Sequence, residues 1–157
     1  MLFRKRLLKE MKDNEKGFKE FYIKPINDKF SIWHFTMKGP EDTPYSKGYY
    51  HGYFTIPDDY PMSPPDLYFL TKNGRYETNK KICLTITSYH KETWSPAWNF
   101  QTMMRAIRSY FIVEDSGIGS IKRGKEEREE LAKKSHDFKC SQCGSVSQIV
   151  KLKIEKS

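Results

Sequence analysis

Cys83 is the residue of this 157-residue chain whose type and setting most suit nucleophilic chemistry. It stands in Lys81-Ile82-Cys83-Leu84-Thr85-Ile86, at the edge of an apolar, β-branched run that should hold its backbone rigidly. Lys72, Arg75, Lys80 and Lys81 lie just upstream, and positive charge close to a thiol favours the thiolate, which is the reactive form. The same cysteine also fits a plainer role, because an unpaired cysteine commonly serves as a small buried hydrophobe. Composition and spacing leave both readings open.

The elements that would position Cys83 can be read from periodicity. Leu2 to Asn14 reads as a helix, with Phe3, Leu7, Leu8 and Met11 on one face and Arg4, Lys5, Lys9 and Lys12 on the others. Four strand-like runs follow, Phe18 to Lys24, Phe30 to Lys38, Tyr49 to Ile56 and Asp66 to Leu70, rich in aromatic and β-branched residues and parted by Pro, Gly, Asn and Asp. Their short connections predict an antiparallel meander with Trp33, Phe35 and Met37 facing the core. His34 and His51 fall on these strands and read as hydrogen-bonded sheet histidines, since neither has a metal-spaced partner nearby in the chain. Tyr60-Pro61-Met62-Ser63-Pro64-Pro65 is a stiff loop, because its prolines fix φ and restrict the residues before them. Asn99 caps a strongly amphipathic helix running to Ile112, with Phe100, Met103, Met104, Ile107 and Phe111 as its apolar stripe. Lys125 to Phe138 reads as a charged helix that packs lightly on the rest. The fold class expected is α+β: a four-stranded meander with an N-terminal helix and C-terminal helices.

The net charge of +8 invites a nucleic-acid reading, but the charge gathers in residues 1–16, 71–81 and 151–157. No recognition helix, aromatic-studded strand motif or zinc-finger spacing accompanies it, so no nucleic-acid partner is expected. Three cysteines and the lack of an apolar leader argue for a reducing compartment, the cell interior by default. No apolar run reaches the roughly 18 residues that a membrane span requires. His136, Cys140 and Cys143 are spaced as three potential zinc ligands, but a structural site normally closes with four, so no metal is expected. Gln148 to Ser157 alternates apolar and charged residues and reads as a strand or a frayed linker. The division expected is therefore one domain over residues 1–139 and a tail over residues 140–157.

Four stretches in order carry a resemblance to a known family. They are Trp33-His34-Phe35-Thr36 leading to Gly39-Pro40; Tyr49-Tyr50-His51-Gly52 leading to Ile56-Pro57 and Tyr60-Pro61-Met62-Ser63-Pro64-Pro65; Lys81-Ile82-Cys83-Leu84; and Trp94-Ser95-Pro96-Ala97-Trp98. From Phe30 to about Phe138 the chain resembles the catalytic domain of a ubiquitin-conjugating enzyme. Within that family it is similar to the J type, usually tail-anchored on the cytosolic face of the endoplasmic reticulum. Thr71-Lys72-Asn73-Gly74-Arg75 replaces the His-Pro-Asn of ordinary members and sets Asn73 ten residues before Cys83. His90 follows Cys83 by seven residues, and a later Ala132-Lys133-Lys134-Ser135-His136-Asp137-Phe138 run precedes Cys140 and Cys143.

The resemblance implies acyl transfer through a thioester on Cys83, with lysine as the acceptor and serine and threonine as further acceptors, in endoplasmic-reticulum-associated degradation. It implies that Asn73 shapes the active-site loop or stabilises the oxyanion; a turn residue in Asn-Gly is the competing role. His90 could accept a proton from the attacking group, since the reference pKa of imidazole lies near working pH; a gating or merely exposed loop histidine is the competing reading. By position, Lys5, Arg6 and Lys9 would meet the activating enzyme and ligase, and Met62, Pro64, Pro96 and Ala97 would form the ligase-docking patch. Partners implied are ubiquitin, the activating enzyme, a RING-type ligase and protein substrates, with membrane attachment only through a segment beyond Ser157. No cofactor is implied, ATP being used by the upstream activating enzyme. The rivals are a non-catalytic ubiquitin-conjugating-like adaptor and a papain-like hydrolase, the latter disfavoured because its cysteine normally opens a helix.

Overall fold

A computed structural model describes residues 2–82, 93–113 and 118–155, Leu2 and Phe3 by backbone alone. Helix α1 (Leu2–Asn14) leads into strands β1 (Phe21–Pro25), β2 (Ile32–Lys38), β3 (Tyr49–Thr55) and β4 (Asp66–Phe69). These form a four-stranded antiparallel sheet in sequence order, the meander expected from the short connections. Helix α2 (Phe100–Tyr110) packs on one face of the sheet, and α3 (Lys125–Lys134), with a 3-10 turn at Ser135–Asp137, follows it in the chain.

Alternation along the strands separates two faces. Trp33, Phe35 and Met37 pair across β2 and β3 with Phe54, Gly52 and Tyr50, and all are buried. Against them lie Phe100, Met103, Met104 and Ile107 of α2, each contributing roughly 1.5–3 kcal/mol by leaving water. Asn99 caps α2 by accepting from the Thr102 N–H, as its residue type predicts. Gly52 is required at its place, because a Cβ there would lie 2.6 Å from the Phe35 ring. On α1, Leu7 is buried but Leu8 is exposed, while Glu10 and Asn14 are buried. The helix is rotated from the expected face, with Leu7, Glu10 and Asn14 turned inward at helical spacing.

The opposite face of the sheet carries Lys24, His34, Thr36, His51 and Tyr53, and here the expected tail is corrected. Residues 139–155 are folded: β5 (Lys139–Cys140) pairs with β6 (Gly144–Ser145), and helix α4 (Val146–Ile149) continues with π-type bonding through Val150–Ile154. Val146, Val150 and Ile154 recur every four residues and bury themselves with Tyr22, Tyr49 and Phe138. That spacing is helical, so the apparent alternation after Gln148 was neither a strand nor a linker. The boundary expected at residue 139 falls inside β5, and the C-terminal unit packs on the sheet. Ser135 ties α3 to β3 by accepting from the Tyr49 N–H at 2.9 Å. Both imidazoles on this face are neutral at ordinary pH: burial and then Lys24 push His34 down to about 4, and burial, His34 and Lys24 push His51 down to about 3. No helix among the described residues is long and apolar enough to cross a membrane.

Candidate active site

Cys83 and His90 lie outside the described residues; the described part of the site is the segment that leads to Cys83 and its neighbours. The preceding segment runs beside β4. The Asn79 N–H donates to the Phe69 carbonyl at 2.8 Å, and the Ile82 N–H to the Leu67 carbonyl at 3.0 Å. Ile82 is fully buried, so the residue immediately before Cys83 is anchored in the core. Gly119 lies against it with φ +92°, and a Cβ there would approach Ile82 Cδ1 to 2.6 Å. Only glycine meets both demands. The Gly119 carbonyl accepts from the Glu77 N–H at 2.7 Å, and the Ile121 N–H donates to the Arg75 carbonyl at 2.9 Å. Residues 119–121 thus brace the approach to Cys83 from the side away from β4.

Asn73 organises the loop that precedes this segment. It is 1% exposed. Its Oδ1 accepts from the backbone N–H of Arg75 at 2.8 Å and of Tyr76 at 2.7 Å, and its Nδ2 donates to the Thr71 carbonyl at 3.0 Å. The side chain thus satisfies three backbone groups of its own loop, the arrangement by which Asn builds turns. Gly74 follows at φ +82°, and α3 closes over it with the Arg128 Nε donating to the Gly74 carbonyl at 3.0 Å.

The four cations expected to raise the potential around the thiol are differently engaged. Arg75 is buried, donating to the Tyr110 carbonyl at 3.2 Å and the Val113 carbonyl at 2.5 Å, with its guanidinium 4.4 Å from the Tyr76 ring centroid. Lys80 pairs with Glu77 at 2.9 Å and Lys81 with Asp66 at 3.5 Å. Arg75 is therefore a structural clamp joining the Asn73 loop to the end of α2, and carboxylates offset the charge of both lysines; Lys72 is exposed.

A second region joins α1 to the loops at residues 60–65 and 94–98. The Trp94 Nε1–H donates to the Pro61 carbonyl at 2.8 Å, linking the two loops. Arg6 donates to the Pro96 carbonyl at 2.8 Å and the Trp98 carbonyl at 2.7 Å, and lies 3.5 Å from Glu10 Oε2. Glu10 accepts from the Tyr60 hydroxyl at 2.9 Å and from the Phe100 N–H, at the start of α2, at 3.2 Å. Burial raises the Glu10 carboxyl above its ordinary value despite these donors, and raises the Tyr60 phenol. The expected docking residues therefore divide. Lys5, Lys9, Met62, Pro96 and Ala97 are exposed, Met62 at 68%. Arg6 is partly buried, bonded to the 94–98 loop while still lining the groove, and Pro64 is buried. Lys5, Arg6, Lys9, Tyr60, Pro61 and Met62 line an open groove of about 640 Å³. Glu10 was missed because it is charged, although its place three residues after Leu7 is on the inward face.

The ubiquitin-conjugating enzyme family model matches residues 6–119, a span that contains the α1 clamp, the meander, the Asn73 loop and Gly119. The chain belongs to the ubiquitin-conjugating enzyme family. Among curated relatives, ubiquitin-conjugating enzyme E2 J1 of Homo sapiens is 43% identical over 152 residues, covering 96% of this chain and 48% of that protein. Ubiquitin-conjugating enzyme E2 J2 of Mus musculus is 38% identical over 114 residues, covering 73% of this chain and 44% of that protein. Within the family the likeness is thus to the J type, and the chain spans about half the length of the curated relatives it matches. A solved structure of a putative ubiquitin conjugating enzyme from Plasmodium yoelii superposes with a TM-score of 0.63 at 33% identity, covering 73% of this chain and 75% of that one.

Proposed function

We propose that this chain accepts ubiquitin as a thioester on Cys83 and transfers it, with a RING-type ligase, to lysine and to serine or threonine of protein substrates. The observation that carries the reading is the anchored approach to Cys83: a segment bridged and hydrogen-bonded to β4 as far as Ile82 and braced by Gly119. Such an approach holds a nucleophile still against a carbonyl, which is the main requirement when the acyl group is already activated. The Cys83 thiolate attacks the carbonyl of the activating enzyme's thioester, and that enzyme's thiolate leaves. An acceptor amine or hydroxyl then attacks the new thioester, Cys83 leaves as thiolate, and the acceptor's proton passes to a base. His90 is the base proposed, and Asn73 is proposed to hold the loop geometry through its three backbone hydrogen bonds. Lys5 and Lys9 supply charge, and Met62, Pro96 and Ala97 apolar contact, for the activating enzyme and ligase.

No cofactor enters the transfer itself, ATP being consumed by the activating enzyme. The setting proposed is the cytosolic face of the endoplasmic reticulum, in degradation of proteins from that organelle. The test is a non-reducing gel of the chain with activating enzyme, ATP and ubiquitin, beside Cys83→Ala. A thiol-sensitive adduct lost in Cys83→Ala supports the reading, whereas no adduct with ubiquitin or its relatives would favour a non-catalytic adaptor. His90→Ala should charge normally and discharge more slowly to hydroxyl acceptors; equal discharge would remove His90 as the base.

A further inference from the structure

On the face of the sheet away from α2, four side chains from distant parts of the chain converge. They are His34 on β2, His51 on β3, and Cys140 and Cys143 at the two ends of the β5–β6 turn, and their ligand atoms all lie within 4.8 Å of one another. We infer that they hold one structural zinc ion that clamps the C-terminal hairpin to the sheet.

The donor set is two thiolates and two imidazoles, a combination that selects zinc and closes a tetrahedral structural site. Zn–N near 2.0–2.1 Å and Zn–S near 2.3 Å place tetrahedral ligands about 3.3 Å apart for N···N and about 3.6 Å for N···S. His34 Nδ1 and His51 Nε2 are 3.1 Å apart, and Cys140 Sγ is 3.6 Å from His34 Nδ1. These two separations are close to tetrahedral ones, and Cys143 lies within 4.8 Å of the other three. Both histidines are placed by the sheet register, His34 opposite Tyr53 and His51 opposite Thr36, so that they are diagonal neighbours on one face. His51 has the outer support that zinc histidines require. Its Nδ1 lies 2.9 Å from the Thr36 hydroxyl, which orients the ring so that Nε2 faces the other three ligands.

The cysteines are presented by the three-residue turn Ser141–Cys143, closed by Gly144 at φ +88°. A Cβ on Gly144 would touch nothing within 4 Å, so what the position demands is the left-handed conformation that brings both sulfurs to the same side. Both thiols are free. On binding Zn²⁺ the two thiols would release their protons to solvent, giving a neutral site from two thiolates, two neutral imidazoles and the dication. His136, the ligand that linear spacing suggested, is drawn away: its Nε2 meets the Lys47 carbonyl and its ring packs on Tyr49.

The test measures metal in the full chain, purified under a non-chelating reductant, by inductively coupled plasma mass spectrometry. One zinc per chain is expected, released on titration of the thiols with a mercurial. Exchange with Co²⁺ should give the visible bands of a tetrahedral ion and a thiolate-to-cobalt charge-transfer band. Cys143→Ser, at a partly exposed turn position, should stay folded by circular dichroism and lose the zinc. Thr36→Val keeps all four ligands and should weaken zinc binding by about 10- to 100-fold. The inference is overturned by a parent chain that retains no zinc after reconstitution, by an octahedral cobalt spectrum, by unchanged affinity in Cys143→Ser, or by a Cys140–Cys143 disulfide in protein trapped by alkylation from cells.

Discussion

Replacing Asn73 by Ala separates two roles that one asparagine could have near a thioester. In the structure its Oδ1 is the partner of two buried N–H groups, of Arg75 and Tyr76, and its Nδ2 is committed to the Thr71 carbonyl. Alanine leaves those two donors without acceptors, at about 1–3 kcal/mol each, so a loss of about 2–6 kcal/mol is expected. A domain of this size has about 5–15 kcal/mol in total, so the variant should still fold at low temperature. Urea titration followed by tryptophan fluorescence gives the stability, and single-turnover charging and discharge of Cys83 give the chemistry under conditions where both proteins are folded. A loop-shaping asparagine predicts the stability loss, with charging and discharge slowed alike by a displaced loop. Asn73→Asp should not rescue it, because an oxygen would then face the Thr71 carbonyl and a charge would be buried. The reasoning is refuted if Asn73→Ala is as stable as the parent within about 0.5 kcal/mol while discharge alone falls about 100-fold, the mark of an oxyanion donor.

Glu10→Ala should cost about 3 kcal/mol by orphaning the Tyr60 hydroxyl and the first N–H of α2, read from urea midpoints. Because burial raises the Glu10 carboxyl, its ionised form disfavours folding at neutral pH; the parent should gain stability relative to Glu10→Gln as pH falls through the folded pKa toward the reference value of 4.5. A difference between the two proteins that does not change with pH would contradict this. Gly119→Ala should cost about 1–3 kcal/mol from positive φ and slow charging as well, since its Cβ would press on Ile82; normal charging would show that Cys83 does not depend on this brace. Met62→Asp, at an exposed site, should leave stability within about 0.5 kcal/mol and charging intact while lowering ligase-stimulated discharge about tenfold; retained stimulation would place the ligase elsewhere.

The meander, α2 and its Asn99 cap were legible because period-two and period-3.6 patterns are local, and each strand or helix carries its own. Asn73-Gly74 was legible as a turn for the same reason, as was the exposure of Met62 in a proline-stiffened loop. Less legible were the sites where a polar residue is buried by something distant. Arg6 reads as surface charge until Pro96 and Trp98 present their carbonyls, and Glu10 reads as solvated until Tyr60 and the start of α2 meet it. The C-terminal segment was misread because alternating apolar and charged residues over a short run suit a strand or a helix equally, and only Tyr22 and Tyr49 on the sheet settle which face is apolar.

The sequence by itself determined the order of elements, the run that carries Cys83 and the Cys-x-x-Cys pair near its end, since each depends on neighbours a few residues away. Only the tertiary structure decided what those cysteines face. His34 lies 106 residues before Cys140, and no local preference records that separation. Strand register sets His34 and His51 side by side, burial of Val146, Val150 and Ile154 seats the hairpin above them, and a four-ligand cluster results from packing that no single segment specifies.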